Sequence, residues 1–133
     1  MIYKYNEIVS AKALSDLRES VGWNRMEEEY ENPLMTSYYH IAVYENDNLI
    51  GYIDCVSNGV TDAYIQDLMV HPEYQGEGVG TELMKYIHTH SKNIGCAKLF
   101  LITNKSNVSA CRCYENAGGT SKATDDIVYV FRE

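Results

Sequence analysis

Residues 61–103 place the strongest constraint on the fold. Residues 61–70 are rich in β-formers and read as a strand. His71-Pro72-Glu73-Tyr74 ends it, and Gln75-Gly76-Glu77-Gly78-Val79-Gly80 follows. A helix is expected from there to about Lys92, with Val79, Leu83, Met84, Ile87 and His90 or Ser91 on its inner stripe. Asn93-Ile94-Gly95 closes the helix. Residues 97–103 then form an apolar strand, with Leu99, Phe100, Leu101 and Ile102 in succession. A strand, a helix and a second strand make a crossover, so the two strands must run parallel. A run apolar on both faces predicts a central strand covered on both sides.

The rest of the chain frames that unit. Residues 3–8 read as a first strand. Ser10 is the expected N-cap of a helix to about Ser20, with Ala13, Leu14 and Leu17 on one face and Gly22 as its stop. A shorter helix is expected over residues 24–31, before Pro33. Residues 38–44 and 49–56 flank the turn signal Glu45-Asn46-Asp47-Asn48, and Ser57-Asn58-Gly59 makes the next turn, so residues 38–70 read as an antiparallel meander. Residues 107–117 read as a helix ended by Gly118-Gly119, and residues 126–131 as a last strand. The expected architecture is α/β (or α+β): one domain over residues 1–133, with a mixed, mostly antiparallel sheet and helices on both faces.

Composition narrows the function. With 133 residues the chain is one domain in size and needs no disulfide or metal to complete a core. Eleven basic residues against 19 acidic give a net charge of −8. Nucleic-acid binding needs concentrated Lys and Arg, so that partner is not expected. The acidity suits either a cationic amine substrate or plain solubility. No apolar run is long enough for a membrane span, and the first residues lack a signal-peptide core, which predicts a cytoplasmic protein. Cys55, Cys96, Cys111 and Cys113 form no CxxC pair, and the four histidines lie at no zinc-finger spacing, so reduced thiols and no metal are expected. Tyrosine is over-represented at 12 residues, which suits half-buried strand positions.

The glycine loop is the segment that points to chemistry, with a glycine-rich turn that holds no ligand as the competing reading. Glycines at alternate positions let a ligand approach the backbone, and the helix start that follows offers unpaired N–H groups to an anion such as a phosphate. A P-loop would need Lys-Ser or Lys-Thr after the last glycine, where Thr81-Glu82 stands. The dinucleotide fingerprint would need a third glycine at Thr81.

The segment Gln75-Gly76-Glu77-Gly78-Val79-Gly80 resembles the Q/R-x-x-G-x-G/A motif of the GNAT N-acetyltransferase superfamily, and Val70-His71-Pro72-Glu73-Tyr74 resembles its lead-in. Asn107, Ala110, Tyr114 and Gly118 match the family's second signature, N-x-x-A-x-x-x-Y-x-x-x-G. The resemblance implies an acetyl-CoA-dependent N-acetyltransferase, without a metal, acting on a small-molecule or N-terminal amine. It implies a cofactor cleft where two parallel strands splay apart, near Val70 and Thr103. Backbone groups of Leu68, Met69 and Val70 would meet the pantetheine arm. Gln75, Gly76, Glu77, Gly78, Val79, Gly80 and Thr81 would form the pyrophosphate loop, and Asn107 would contact the cofactor. Tyr114 would sit near the CoA sulfur and protonate the leaving thiolate.

Asn107 and Tyr114, seven residues apart, share a helix face, although spacing alone suits a core tyrosine as well. Some family members carry a glutamate where this chain has Ile102, so a general base must come from elsewhere. Asp67 is the candidate, with an ordinary turn or cap aspartate as the competing reading; His40 and His71 are weaker choices. Gly119 replaces a common aromatic. The departure at Ile102 also leaves open an acyl-CoA-binding sensor or assembly module on the same fold. The acceptor side would be built by residues 21–39, which hold Trp23, Asn24, Arg25, four glutamates, Tyr30 and Tyr38, although the same residues suit a plain surface helix. Homodimers are common in the family, and nothing in the residues demonstrates one.

Overall fold

The computed structural model describes residues 1–93, 95, 96, 98–122 and 125–132. Strand β1 (Ile2–Tyr5) is shorter than expected, because Asn6 turns into the left-handed region at φ 57° and gives its N–H to the His40 carbonyl at 2.7 Å. Helix α1 (Ala11–Ser20) begins at Ser10, whose hydroxyl accepts the Ala13 N–H at 3.1 Å. It ends where Gly22 adopts φ 86°. Helix α2 (Glu27–Glu31) is only five residues long, and none of them is buried.

The meander is present as β2 (Tyr39–Glu45), β3 (Asn48–Ser57) and β4 (Asp62–Val70), paired antiparallel in sequence order. Its first turn places Asn46 and Asp47 at φ 49° and 66°, the type I′ geometry that matches the twist of a hairpin. In the next turn the Asn58 Oδ1 accepts from the N–H groups of Val60 and Thr61 at 2.8 and 2.9 Å. Helix α3 (Val79–Asn93) then crosses over to β5 (Lys98–Phe100), which runs parallel to β4. Helix α4 (Val108–Asn116) follows.

The sheet has the order β1-β2-β3-β4-β5 and carries helices on both faces. On one face Leu14 and Leu17 of α1 pack on Ala42, Tyr52 and Met69. On the other, Val79, Leu83, Met84 and Ile87 of α3 pack on Ile41, Val43, Ile50, Ile53 and Ile65. Each such side chain contributes about 2 kcal/mol by leaving water. The expected stripe of α3 is therefore its buried face, with Ser91 inside and His90 stacked on Tyr39 at 3.7 Å between ring centroids.

Two expectations are corrected. Residues 97–103 do not make a central strand. Among the described residues β5 keeps three of them, stands last in the sheet, and leaves Phe100 and Ile102 exposed; Ala97 lies outside the described residues. Residues 126–131 hold no strand, and Ile127, Val128, Tyr129, Val130 and Phe131 are all exposed. The two findings have one cause, since β5 could be central only with a strand on its outer side.

Candidate active site

The loop after β4 is built from three different constraints. His71 caps a 3₁₀ turn (Pro72–Tyr74), its Nδ1 accepting the Glu73 N–H at 3.2 Å. Gln75 folds back so that its Nε2 donates to the Val70 carbonyl at 2.9 Å, tying the loop to the strand end. Gly76 and Gly78 adopt φ 82° and 87°, and a Cβ at either would meet nothing within 4 Å. Their requirement is conformational: a left-handed backbone that bends the chain into a cradle. Gly80 has no such φ, but a Cβ there would lie 3.1 Å from the Cys113 Sγ, so this glycine lets α3 and α4 approach. Thr81 donates its hydroxyl to the same sulfur at 3.8 Å. The Glu82 N–H reaches the Gly78 carbonyl at 3.0 Å as the first helical bond. The N–H groups of Val79, Gly80 and Thr81 thus lie in the opening turn, where a helix has no internal partners for them and carries partial positive charge. Glu77 is exposed beside them.

A cleft opens next to this loop. The β4–β5 ladder has three pairs, Asp62 with Lys98, Ala63 with Leu99 and Tyr64 with Phe100, and stops there. Strand β4 continues to Val70 while residues 101–104 leave the sheet, so the two chains separate. The gap holds a cavity of about 420 Å³, lined on the β4 side by Tyr64 to Leu68 and on the other by Leu101, Ile102 and Thr103. Asn107, Ala110 and Tyr114 of the α4 region line it as well. The Asn107 Oδ1 caps α4 by accepting the Ala110 N–H at 3.3 Å. Tyr114 is half-buried against the core, and burial above all, with smaller effects from Cys113 and Cys111, pushes its phenol up to about 12. The phenol is therefore protonated at neutral pH. Met69 lies under α1 with its backbone in register with Tyr52, and Val70 is in register with Gly51.

Asp67 owes its place to a β-bulge. Between the pairs Tyr52–Met69 and Asp54–Gln66, two residues of β4 oppose one of β3, and Asp67 takes φ 53°. A non-glycine residue there is strained, which marks positions held by function or by strong contacts. Here the contacts are visible. Arg18 Nη1 ion-pairs with Asp67 Oδ1 at 3.3 Å, and the Tyr30 hydroxyl donates to Oδ2 at 3.2 Å. Arg18 is itself buried, with Nε on the Asn24 carbonyl at 2.8 Å and its guanidinium 5.1 Å from the Trp23 ring. Both Arg18 and Asp67 line the cavity.

The structure thus brings Asp67, Leu68, Asn107 and Tyr114 together around one cavity, with the glycine loop continuing β4. His40 and His71 do not line it, and neither do Met69, Val70 or the loop from Gln75 to Thr81. His40 is held between Ser37 and the Glu7 carbonyl. Of residues 21–39, Trp23, Met26 and Met35 line the cavity, and none of the four glutamates does. Sequence reasoning missed Arg18, and it named Tyr30 on the acceptor side without its bond to Asp67. A signal existed for Arg18: it stands four residues after Leu14, which puts it beside the buried stripe of α1. The four cysteines are free, and Cys111 and Cys113 point apart, toward the Asn104 carbonyl and toward Thr81. Among the described residues no cluster suits a metal ion, and no helix is long and apolar enough to cross a membrane.

Comparison with known proteins names the fold. An uncharacterized ycf52-like N-acetyltransferase of Prochlorococcus marinus is 33% identical over 112 residues, 80% of this chain and 61% of that protein. Streptothricin acetyltransferase A of Bacillus subtilis is 37% identical over 87 residues, 65% of this chain and 50% of that one. The chain spans about half to three fifths of the length of such relatives. Among solved structures, a probable acetyltransferase of Staphylococcus aureus has a TM-score of 0.80 at 23% identity, covering 99% of this chain and 100% of the other. An aminoglycoside 6′-N-acetyltransferase complexed with coenzyme A has a TM-score of 0.62 at 24% identity, covering 76% and 61%. The acetyltransferase (GNAT) family model matches residues 8–118. That match takes in every element around the cleft, from α1 to the glycine after α4, and the chain belongs to the GNAT acetyltransferase family.

Proposed function

We propose that this chain is an acetyl-CoA-dependent N-acetyltransferase that transfers an acetyl group to a primary amine by direct attack in a ternary complex. The observation that carries the reading is the left-handed pair Gly76 and Gly78 at the start of α3, beside a cleft lined by Asp67, Asn107 and Tyr114. Acetyl-CoA, when bound, supplies the activated acetyl thioester. The backbone from Gln75 to Thr81, including Glu77 and Val79, holds the pyrophosphate by the N–H groups of the loop and first helical turn. Leu68, Met69 and Val70 lie beyond the last β4–β5 pair, and their backbone would meet the pantetheine arm from the open side of β4. Asn107 contacts the cofactor from the α4 side. Asp67 accepts the proton that the amine must lose before it attacks. Tyr114 hydrogen-bonds to the leaving sulfur. An ordinary thiol has a pKa of about 8.5, so a phenol raised to about 12 is the weaker acid. Tyr114 therefore acts by stabilising developing charge through its hydrogen bond and keeps its own proton, and the departing thiolate takes its proton from solvent.

Trp23, Met26 and Met35 beside Asp67 suit an amine carried on an apolar body. The relatives are named for streptothricin and for thialysine, and one is an N-alpha-acetyltransferase, so both small molecules and N-terminal amines stay in scope. The test is calorimetric titration with acetyl-CoA, followed by a thiol-release assay against a panel of amines. Binding with release for one amine class is expected. Binding without release for any amine supports the acyl-CoA sensor, which Ile102 at the expected glutamate position favours. No binding overturns both.

A further inference from the structure

Asp54 is buried in the middle of β3, 8% exposed, and takes no part in the reaction described above. The Tyr52 hydroxyl donates to its Oδ2 at 3.2 Å, while its Oδ1 is buried and, among the described residues, has no hydrogen-bond partner. An orphaned carboxylate oxygen in a protein interior is costly and calls for a reason. Its neighbours supply one. Gln66 of β4 is in register with Asp54, and Asp67 follows on the bulge. From β2, His40 is in register with it, held by Ser37 and the Glu7 carbonyl. From α2, Tyr30 packs against the cluster that includes Tyr52 and donates to Asp67. From α1, Arg18 brings a guanidinium whose ion pair is with Asp67. Burial first, and the charge of Asp67 second, push Asp54 up to about 7.

Charge counting then gives Asp54 a role. With Asp54 protonated, Arg18 and Asp67 cancel, and the acceptor end of the cavity is neutral. With Asp54 ionised, the same cluster carries one net negative charge. The geometry points to Asp54 as a specificity-determining residue that acts through Asp67: its ionisation makes the acceptor end of the cavity selective for a cationic amine, and its protonation removes that preference. This rests on the reading of the cavity beside Asp67 as the amine site. Asp54 touches no ligand itself; it is a positioning charge that sets what the Arg18–Asp67 pair presents.

Trp23 lines the cavity and is the one tryptophan of the chain, so its fluorescence reports occupancy directly. Benzylamine, an ammonium on an apolar ring, is the probe, and benzyl alcohol is its neutral control. Benzylamine should bind the wild-type protein about five- to tenfold more tightly at pH 8.5 than at pH 6.0, and benzyl alcohol equally at both. Asp54→Asn should bind benzylamine at both pH values with the affinity the wild type shows at the lower one. The same pH response in Asp54→Asn and wild type, or a pH response for benzyl alcohol, overturns the inference. So does an absence of benzylamine binding at both pH values, while acetyl-CoA titration judges the acetyltransferase reading separately. Should Asp54→Asn not fold, carboxyl-carbon NMR of the wild type decides. One aspartate should titrate near neutrality and shift to lower pH when benzylamine is added, and no such signal overturns the inference.

Discussion

Tyr114 shows how a motif residue becomes a chemical argument. Seven residues beyond Asn107, it shares a cavity with it, and its phenol is raised to about 12 mainly by burial. A group this weakly acidic does little as a free proton source. In the proposed reaction it would serve as a fixed hydrogen-bond donor, because it stays protonated at neutral pH and would need no reorganisation when charge appears on sulfur. Tyr114→Phe should therefore lower the acetylation rate constant by about 10²-fold, within the range for loss of one such donor. Acetyl-CoA affinity should stay within about twofold. Calorimetry and thiol release on the same sample separate the two effects, and an unchanged rate would remove Tyr114 from the chemistry. Asp67 is the opposite case. Its sequence position suggested a base, but nothing in the sequence disclosed the bulge, the positive φ or the Arg18 and Tyr30 contacts that hold it. Those depend on side chains 37 and 49 residues away, and only the folded chain brings them together.

At the scale of elements, local signals were legible and environment was not. Ser10 as N-cap, the Asn46-Asp47 turn and the stripe of α3 each follow from residues within one or two turns of each other. The strand read into residues 97–103 fails because an apolar run specifies burial on two faces, not who provides it. The glutamate run of α2 faces solvent, as a charge run commonly does, and Arg25 gathers Asp16, Glu19 and Glu27 in an exposed ion-pair group outside the cavity. The three glycines of the loop look alike in sequence yet answer to different elements. Gly78→Ala adds a left-handed alanine in open space, which costs about 1 kcal/mol and disturbs the anion cradle. It should weaken acetyl-CoA binding with little effect on the packing of α3 on α4. Gly80→Ala pushes a methyl to 3.1 Å from the Cys113 Sγ. It should lower the melting temperature and loosen α4, which carries Tyr114. Melting curves and acetyl-CoA titrations of the two variants should therefore separate in opposite directions. Equal losses in both measurements would show that the loop and the α3–α4 contact act as one unit.

The whole molecule feels its buried acid through pH. Asp54 stands at about 7 in the folded chain, whereas an aspartate in the unfolded chain stands near 3.9. The folded state therefore binds the proton more tightly than the unfolded state does. The stability tied to that proton is fully present below about pH 4 and is lost progressively as pH rises to about 7, after which the loss is constant. This runs against the usual behaviour of paired carboxylates, which lose stability as pH falls. Its full size is on the order of 4 kcal/mol, from about three pH units at 1.4 kcal/mol each. Asp54→Asn removes the titration while keeping the shape of the side chain. The difference in melting temperature, variant minus wild type, should rise between pH 4.5 and pH 8 by an amount on the order of ten degrees. Any fixed cost of the amide cancels from that difference, because it does not change with pH. A flat difference across the range would mean that Asp54 keeps an ordinary acidity in the folded chain, and the charge switch proposed for the acceptor cavity would fall with it.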